Sequence, residues 1–325
     1  MGTRAKVNLT FFIAAGSMVP AGAAVAQSYL TKPIRIIVAA ASGGPADISV
    51  RNLANELSLQ LGQQVVVDNR PGASGIIAYE MLARAAPDGY TLGYLAFTIA
   101  TNPSMFSKLP YDSTTDFQPI ILSVSTPSLL AVTPALPIRS LKELIEAART
   151  KPGTLSFGSA GIGTGTHLSV ELLKVVTATN MVHVSYKGMP QAITDVIGGQ
   201  IHVVCETMSS ILPHVRSGRV RALGVTSLKR SPIVPEVPTF DEAGLPGYEL
   251  TTWGGYALPA RAPRALVLRL NAEINKALVS PSVSKSIAER GGTAIGGTPE
   301  QFAEHLRKEI EKWAKVIKAA GIKPQ

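Results

Sequence analysis

Two glycine-rich stretches of this sequence combine residue types that can hold an anion. Ser42-Gly43-Gly44 follows the β-branched run IRIIVAA, and Gly158–Gly165 follows another short apolar run. Each stretch precedes a helical pattern. Glycine lets a ligand approach the backbone, and the N–H groups of a helix N-terminus attract negative charge. The pattern predicts a site that holds a carboxylate and releases it. The alternative, that both stretches are only tight turns, stays open. Hydroxyl groups are added by Ser42, Ser159, Thr164 and Thr166.

The sequence lacks the motifs that usually support catalysis, a metal or a cofactor. GIGTGT at 161–166 approaches the dinucleotide fingerprint, but Thr166 replaces its third glycine and His183–Tyr186 supplies no acidic residue. A phosphate-binding P-loop, a nucleophile elbow and the zinc motif H-E-x-x-H are absent. Cys205, the only cysteine, is expected to be a buried apolar residue. We therefore predict no catalytic residues, no metal and no cofactor.

Alternating strands and helices are expected to position the two stretches. Val50, Leu53 and Leu57 recur at helical spacing before Gly62, and QVVVDN then reads as a strand. This β-α-β pattern recurs in the second half, whereas 226–263 is rich in proline and glycine and is predicted to be irregular. Loops at the carboxyl ends of strands form the ligand site of open α/β sheets. The fold class is therefore α/β, with two lobes that face one cleft.

The N-terminal residues predict export. Arg4 and Lys6 precede an apolar run over 9–19, and Ala24-Val25-Ala26 offers a cleavage site, so residues 1–26 are predicted to be a signal peptide. The chain carries a net charge of +9, but its basic residues are scattered and do not interleave with aromatic ones. Nucleic acid is therefore not an expected partner.

Longer segments carry a family resemblance over essentially the whole chain after the leader. The sequence resembles the Bug family, the extracytoplasmic solute receptors of tripartite tricarboxylate transporters. The matching segments are KPIRIIVAAASGGPAD, LGQQVVVDNRPGASG, APDGYTL, NPSMFSKLPYD, FGSAGIGTGTHLSVELL, VSYKG, LPHVRSGRVRALGVTS, KRSPIVPEVPTFDEAGLPGYE and GGTPEQFAEHLRKEIEKWAKVIKAAGIKP.

The resemblance implies a two-lobed, type II-like periplasmic-binding-protein fold, in which each lobe is a mixed sheet flanked by helices. A hinge would let the lobes close over a ligand cleft. The expected first lobe comprises 27–125 plus 227–290, and the expected second lobe comprises 126–226 plus 291–325. The implied ligand is a small organic carboxylate, and the implied partners are the membrane permease subunits of the transporter. The chain is expected to act as a monomer in the periplasm.

The resemblance also implies which residues form the ligand pocket. The turn after the first strand would hold the carboxylate, and the glycine-rich loop of the second lobe would complete the pocket. Asp47 is expected mainly to cap its own helix. The predicted ligand-binding residues are Ala40, Ala41, Ser42, Gly43, Gly44, Ala46, Asp47, Phe97, Thr98, Ser159, Ala160, Gly163, Thr164, Thr166, His167, Tyr186 and Glu206.

Several positions depart from the usual family pattern. Proline followed by an aromatic residue is common where this chain has Ala39 and Ala40, and aspartate is common at the position of Glu206. Phe97 and Thr98 stand where smaller or more polar residues are common. We hypothesise that Phe97 replaces the aromatic wall that is lost at Ala40. Two alternatives to a transport receptor remain open: a ligand-loaded sensor that docks on a signalling receptor, and a secreted hydrolase that uses Ser42 or Ser159.

Overall fold

The structure, a computed structural model, describes Gly2 and residues 31–325. The predicted signal peptide therefore lies outside the described residues, apart from Gly2. The described chain forms strands and helices in alternation over most of its length. The strands are β1 (Ile34–Val38), β2 (Val65–Asn69), β3 (Thr91–Ala96), β4 (Phe117–Val132), β5 (Ser156–Ser159), β6 (Val182–Ser185), β7 (Val203–Thr207), β8 (Arg221–Val225), β9 (Thr251–Pro259) and β10 (Thr293–Gly296). The helices are α1 (Pro45–Leu61), α2 (Ile76–Ala83), α3 (Thr98–Met105), α4 (Leu141–Thr150), α5 (Gly165–Thr177), α6 (Met189–Ile197), α7 (Met208–Arg216), α8 (Arg264–Leu278), α9 (Pro281–Glu289) and α10 (Pro299–Ala319).

The first lobe is built on a mixed sheet in the order β2-β1-β3-β9-β4. Strand β1 pairs in parallel with β2 and β3, whereas β9 and β10 run antiparallel to β4. Helix α1 begins at Pro45 and ends at Leu61, and the next residue, Gly62, caps it with a left-handed φ of 63° that suits glycine. Its predicted apolar stripe is buried at Val50, Leu53 and Leu57, which confirms the β-α-β reading of this segment.

The second lobe is built on the other end of the same long strand. Strand β4 pairs antiparallel with β7 and β8, and β5 pairs in parallel with β6 and β7. Helix α5 follows β5 directly after the second glycine-rich stretch, and α7 follows β7 without a loop. This arrangement confirms the predicted fold class, with two α/β lobes.

The lobes are joined by strand β4 and by the segment 226–250. Pro127 pairs with Thr251 of the first sheet, and the next residue, Ser128, pairs with Thr207 of the second. Three hydrogen bonds link Thr226 to Ser128. The Thr226 N–H donates to the Ser128 carbonyl at 2.9 Å, and the Thr226 hydroxyl accepts the Ser128 N–H at 2.8 Å and donates to the Ser128 carbonyl at 3.1 Å. A buried hydrogen-bonded crossing therefore links the two connections. No helix within residues 31–325 is long and apolar enough to cross a membrane.

The C-terminal segment differs from the sequence expectation, which assigned 291–325 to the second lobe. Strand β10 pairs with Leu122–Ser125 in the first sheet. On α10, Phe302 packs edge-on against Trp253 of β9, with ring centroids 5.9 Å apart. Helix α10 begins with Thr298 as the N-cap and Pro299 at the first helical position. The segment thus packs mainly against the first lobe, where α10 contacts β4 and α3.

Candidate ligand-binding site

A cavity of about 320 Å³ lies between the two lobes. This volume is near the lower end of the range for small-molecule sites, so the cavity suits a small ligand. Both glycine-rich stretches contribute to its wall. The lining residues are Ala40, Pro45, Ala46, Ser49, Tyr94, Ala96, Phe97, Thr98, Val124, Thr126, Thr164, Gly165, Thr207, Ser209, Thr252, Trp253, Ile287, Arg290 and Gly292.

Four helices begin at this cavity. The first amides of a helix have no acceptor within the helix, and the helix dipole places partial positive charge there. Among the described residues that line the cavity there is no aspartate or glutamate. The electrostatics of the cavity therefore favour an anion. The lining residues at the starts of α1, α3, α5 and α7 are Pro45 and Ala46, Phe97 and Thr98, Thr164 and Gly165, and Thr207 and Ser209.

The structure brings five of the residues predicted from the sequence to the cavity wall and places the others around it. The five are Ala40, Ala46, Phe97, Thr98 and Thr164. In the first loop, Ala41, Ser42 and Gly43 are exposed outside the lining, and the Gly44 N–H closes the turn onto the Ala41 carbonyl at 3.2 Å. Ser42 and its neighbours thus shape the loop that presents Ala46 to the cavity.

Asp47 holds this loop in place; it does not act as the N-cap of its helix, although the sequence analysis predicts that role. The N-cap of α1 is Gly44, and the Asp47 carboxylate instead accepts the N–H of Gly43 at 2.8 Å. It also accepts hydrogen bonds from Arg51 at 2.9 Å and Asn69 at 2.8 Å. Burial raises the pKa of Asp47, but the hydrogen bonds from Arg51, Gly43 and Asn69 outweigh it and hold the pKa below its ordinary value. The N-cap prediction was wrong because Asp47 lies within the first turn, where it reaches back to the loop.

The second glycine-rich loop is folded by its own hydroxyl groups. Thr166 accepts the Ala160 N–H at 3.0 Å, and its hydroxyl lies 2.9 Å from that of Thr164. The carbonyl of Gly163 accepts a hydrogen bond from Thr101 of the first lobe at 3.3 Å. A Cβ at Gly165 would lie 2.8 Å from the Thr252 side chain, so glycine is needed for α5 to approach the first lobe. This loop therefore meets the opposite lobe directly.

Ser159 and His167 lie inside the second lobe and outside the cavity lining. The Ser159 hydroxyl is fully buried and lies 2.7 Å from His183 Nε2, and the rings of His167 and His183 lie 4.1 Å apart. Burial lowers the pKa of His167 to about 3 and that of His183 to about 4, assisted by the positive charge of Lys174. These histidines are therefore neutral near pH 7.

Tyr186 and Glu206 also point to partners within the second lobe. The Tyr186 hydroxyl donates to Asp195 on α6 at 2.7 Å. Glu206 Oε1 accepts both the N–H and the hydroxyl of Thr207, at 2.8 and 2.6 Å. Burial raises the pKa of Glu206 above its ordinary value. Glu206 thus sits directly behind Thr207, which lines the cavity.

Aromatic and aliphatic side chains form much of the remaining wall. Phe97 is almost fully buried, and its ring packs edge-on against Trp313 of α10 with centroids 5.0 Å apart. Tyr94, Trp253 and Ile287 add further apolar surface. Because Phe97 and Ala40 line the same cavity, the geometry is compatible with the hypothesis that the phenylalanine replaces an aromatic wall, which remains a prediction.

Arg290 is a lining residue that the sequence reasoning missed. It follows α9, and its guanidinium donates to the Ser286 hydroxyl. Burial lowers its pKa, but arginine stays charged at neutral pH. No local motif marks Arg290, because it reaches the cavity through the packing of α9 on α1, where Asn52 donates to Ser286 at 2.5 Å.

Cys205 is buried, as the sequence predicted, and burial raises the pKa of its thiol to about 12. Within the described part of the chain, no cluster of three histidine, cysteine, aspartate or glutamate side chains could hold a metal ion.

The fold and the cavity together define a two-lobed solute-binding protein. The sequence model of the tripartite tricarboxylate transporter family receptor, TctC, matches residues 49–322, and the chain belongs to this family. It is 40% identical over 292 residues to the UPF0065 protein in the tcbD-tcbE intergenic region of Pseudomonas sp. strain P51, which covers 90% of this chain and 87% of that protein. It is 35% identical over 324 residues to protein BugT of Bordetella pertussis, which covers 99% of this chain and 98% of BugT. The Bug-family resemblance is thereby confirmed.

Solved structures share the fold over nearly the whole described chain. The structure of R. palustris Rpa4515 with adipate has a TM-score of 0.82 and 36% identity, and covers 91% of this chain and 100% of that one. MatC (Rpa3494) from Rhodopseudomonas palustris with bound malate has a TM-score of 0.77 and 30% identity, and covers 88% of this chain and 99% of that one. Both neighbours carry a carboxylic acid.

Proposed function

We propose that this chain is a periplasmic receptor that captures a small organic carboxylate between its lobes and delivers it to the membrane subunits of a tripartite tricarboxylate-type transporter. The observation that carries the proposal is the convergence of four helix N-termini on one cavity whose described lining has no acidic residue. Family membership and the adipate and malate bound by two structural neighbours support it. Residues 1–26 would direct export and then be removed.

The binding mode we propose uses the main chain. The N–H groups at the starts of α1 and α5, near Ala46 and Gly165, would donate hydrogen bonds from opposite lobes to one carboxylate of the ligand, and Thr98 and Thr164 would add hydroxyl donors. Such contacts hold an anion without a strongly basic group at that point, which suits a ligand that must later be released. The first lobe and the second lobe would each contribute, so binding favours the closed arrangement.

We further propose that the receptor performs no bond-making chemistry. Ser159 does have a histidine within hydrogen-bond distance, since His183 Nε2 lies 2.7 Å from its hydroxyl. That hydroxyl is fully buried, and it also bonds the backbone of Gly161 at 3.1 and 3.2 Å. A buried serine that lies outside the cavity wall cannot reach a ligand in it, so the pair is better explained as a support for the second loop.

A negative charge at the start of α1 tests the proposed site. We expect Ala46→Asp to weaken carboxylate binding at least about tenfold, because like charges would meet in the cavity. An acidic residue is otherwise favourable at a helix N-terminus, so folding should be preserved. Ala265→Asp is the matched control, since Ala265 holds the equivalent position in α8 and is exposed outside the cavity lining.

The measurement is isothermal calorimetry with a panel of mono-, di- and tricarboxylates that includes adipate and malate, alongside mass spectrometry of acids that co-purify with the protein. The proposal requires that the unmodified receptor and Ala265→Asp bind the same acid and that Ala46→Asp loses it. If all three proteins bind the acid equally well, the ligand binds outside this cavity. If none of the acids in the panel binds, the proposal that this protein captures a carboxylate is contradicted.

A further inference from the structure

The lining of the cavity contains a positive charge that a monocarboxylate held on the helix amides would not use. Arg290 is the only lysine or arginine among the described lining residues. Its guanidinium donates to Ser286, and within residues 31–325 no carboxylate lies within ion-pair distance of it; the neighbouring Glu289 attracts it from farther away and pairs with Lys285. A guanidinium has five N–H donors and pairs with carboxylates in a two-pronged geometry. Most of its hydrogen-bonding capacity is therefore left for a ligand.

The position of Arg290 separates it from the main-chain donors near the two glycine-rich loops. It follows α9, which packs on the middle of α1 through the 2.5 Å hydrogen bond from Asn52 to Ser286. The neighbouring Gly291 packs against Met208 at the start of α7, since a Cβ at that glycine would lie 2.7 Å from the methionine side chain. Arg290 thus lies where the end of α9 meets the second lobe, whereas Ala46 lies in the first turn of α1.

Apolar surface lines the cavity together with these two kinds of donor. The side chains of Val124 and Ile287 are apolar, and the indole N–H of Trp253 is already donated to Glu309 at 2.9 Å, so none of the three can pair with a second charge. A ligand that satisfies the whole wall would carry an anion at the amides, an apolar body and another anion at the arginine. A monocarboxylate would leave the guanidinium facing an uncharged group.

We infer that Arg290 selects the ligand of this receptor, and that the ligand is a dicarboxylate with an apolar spacer, one carboxylate lying on the helix amides and the other on the Arg290 guanidinium. The inference rests on the proposed function and narrows its substrate class. It makes Arg290 a specificity-determining residue of this chain.

Matched ligands and matched variants test the inference. Calorimetry is carried out with adipate against monomethyl adipate and with terephthalate against monomethyl terephthalate, since each ester keeps the skeleton and removes one charge. The unmodified receptor should bind a diacid about 10- to 100-fold more tightly than its monoester, as expected for charge-assisted hydrogen bonds. In Arg290→Gln this preference should disappear through weaker diacid binding, and Arg290→Lys should keep part of it.

Arg264→Gln is the control variant, because Arg264 pairs with Glu300 on the surface, outside the cavity lining. It should keep the full preference, and thermal unfolding of all variants with circular dichroism should show that each one folds. Two results would overturn this inference and leave the proposed function intact. One is that the unmodified receptor binds a diacid and its monoester equally well, and the other is that the preference for the diacid persists in Arg290→Gln. Binding of none of the four acids, nor of any acid in the wider panel, would overturn both.

Discussion

Glu206 is a buried carboxyl group with one oxygen unsatisfied. Its Oε1 accepts two hydrogen bonds from Thr207, whereas Oε2 is buried without a hydrogen-bond partner in the described chain. A buried acceptor that lacks a partner costs more if it is charged, because the charge has lost its hydration. Burial raises the pKa of Glu206 for this reason, against the opposing hydrogen bonds from Thr207 and Ser210. Folding therefore shifts the equilibrium of Glu206 toward the neutral acid relative to the unfolded chain.

Replacement of this carboxyl group should change how stability depends on pH. The pKa of Glu206 in the folded protein lies above its ordinary value of 4.5, so its charging destabilises the fold as pH rises above that value. Glu206→Gln keeps the shape and does not titrate. We expect it to raise the free energy of unfolding by about 1–3 kcal/mol at pH 7.5 and to give little gain at pH 4. Urea denaturation at both pH values measures this, and the exposed Glu236→Gln serves as control. A gain that is equal at both pH values would contradict the account.

At the level of helices and strands, β9 shows why a central strand can be missed in a prediction from sequence. Its segment reads TTWGGYALP, and paired glycines followed by a terminal proline are typical of irregular structure, which the sequence analysis predicts for 226–263. Gly254 is required because a Cβ there would lie 1.8 Å from the Tyr94 hydroxyl oxygen, and Gly255 faces Phe302. The glycines thus serve tertiary packing within a central strand. The first part of strand β4 likewise contains Pro119 and Pro127, so the sequence pattern there indicates a strand only from Leu129 onward.

A methyl group at Gly254 should therefore destabilise the receptor. We expect Gly254→Ala to lower the free energy of unfolding by about 1–3 kcal/mol, since the Tyr94 ring must shift within a packed core. Gly198→Ala is a suitable control, because the Cβ there would meet no atom closer than 3.5 Å and the residue has ordinary helical φ and ψ. Chemical denaturation of both variants checks the prediction. An equal loss in the two variants would show that the Tyr94 contact is unimportant.

The parts of the site that the sequence predicted are those with a local signature. A strand, small residues and the start of a helix were recognisable around Ala46 and Thr164, and both residues line the cavity. Arg290 and Thr207 were not recognisable as wall residues, because they arrive there through packing between distant segments. Conversely, His167 and Ser159 were predicted from their place beside the loop, and the structure turns both side chains into the second lobe.

For the whole molecule, the cavity between the lobes predicts a change of shape on binding. The lobes touch beside it through the hydrogen bond from Thr101 to Gly163 and through the close approach of Gly165 to Thr252, and within residues 31–325 the chain passes between them in β4 and in 226–250. We expect the ligand-free receptor to sample more open arrangements and the loaded receptor to be more compact. Small-angle X-ray scattering should show a smaller radius of gyration at saturating ligand. Scattering profiles that are unchanged by a ligand bound in calorimetry would contradict closure.

Strand β4 has a consequence for how such receptors diversify. Its two ends belong to different sheets, and the chain returns to the first sheet before β9, so the first lobe is encoded by two stretches of the gene that flank the stretch encoding the second lobe. A single recombination event between related genes within the second lobe would therefore combine parts of the first lobe from different genes and disturb the pairing between them. New ligand preferences in this architecture are expected to arise from point substitutions at wall positions such as Ala40, Phe97 and Arg290, while the scaffold is inherited whole.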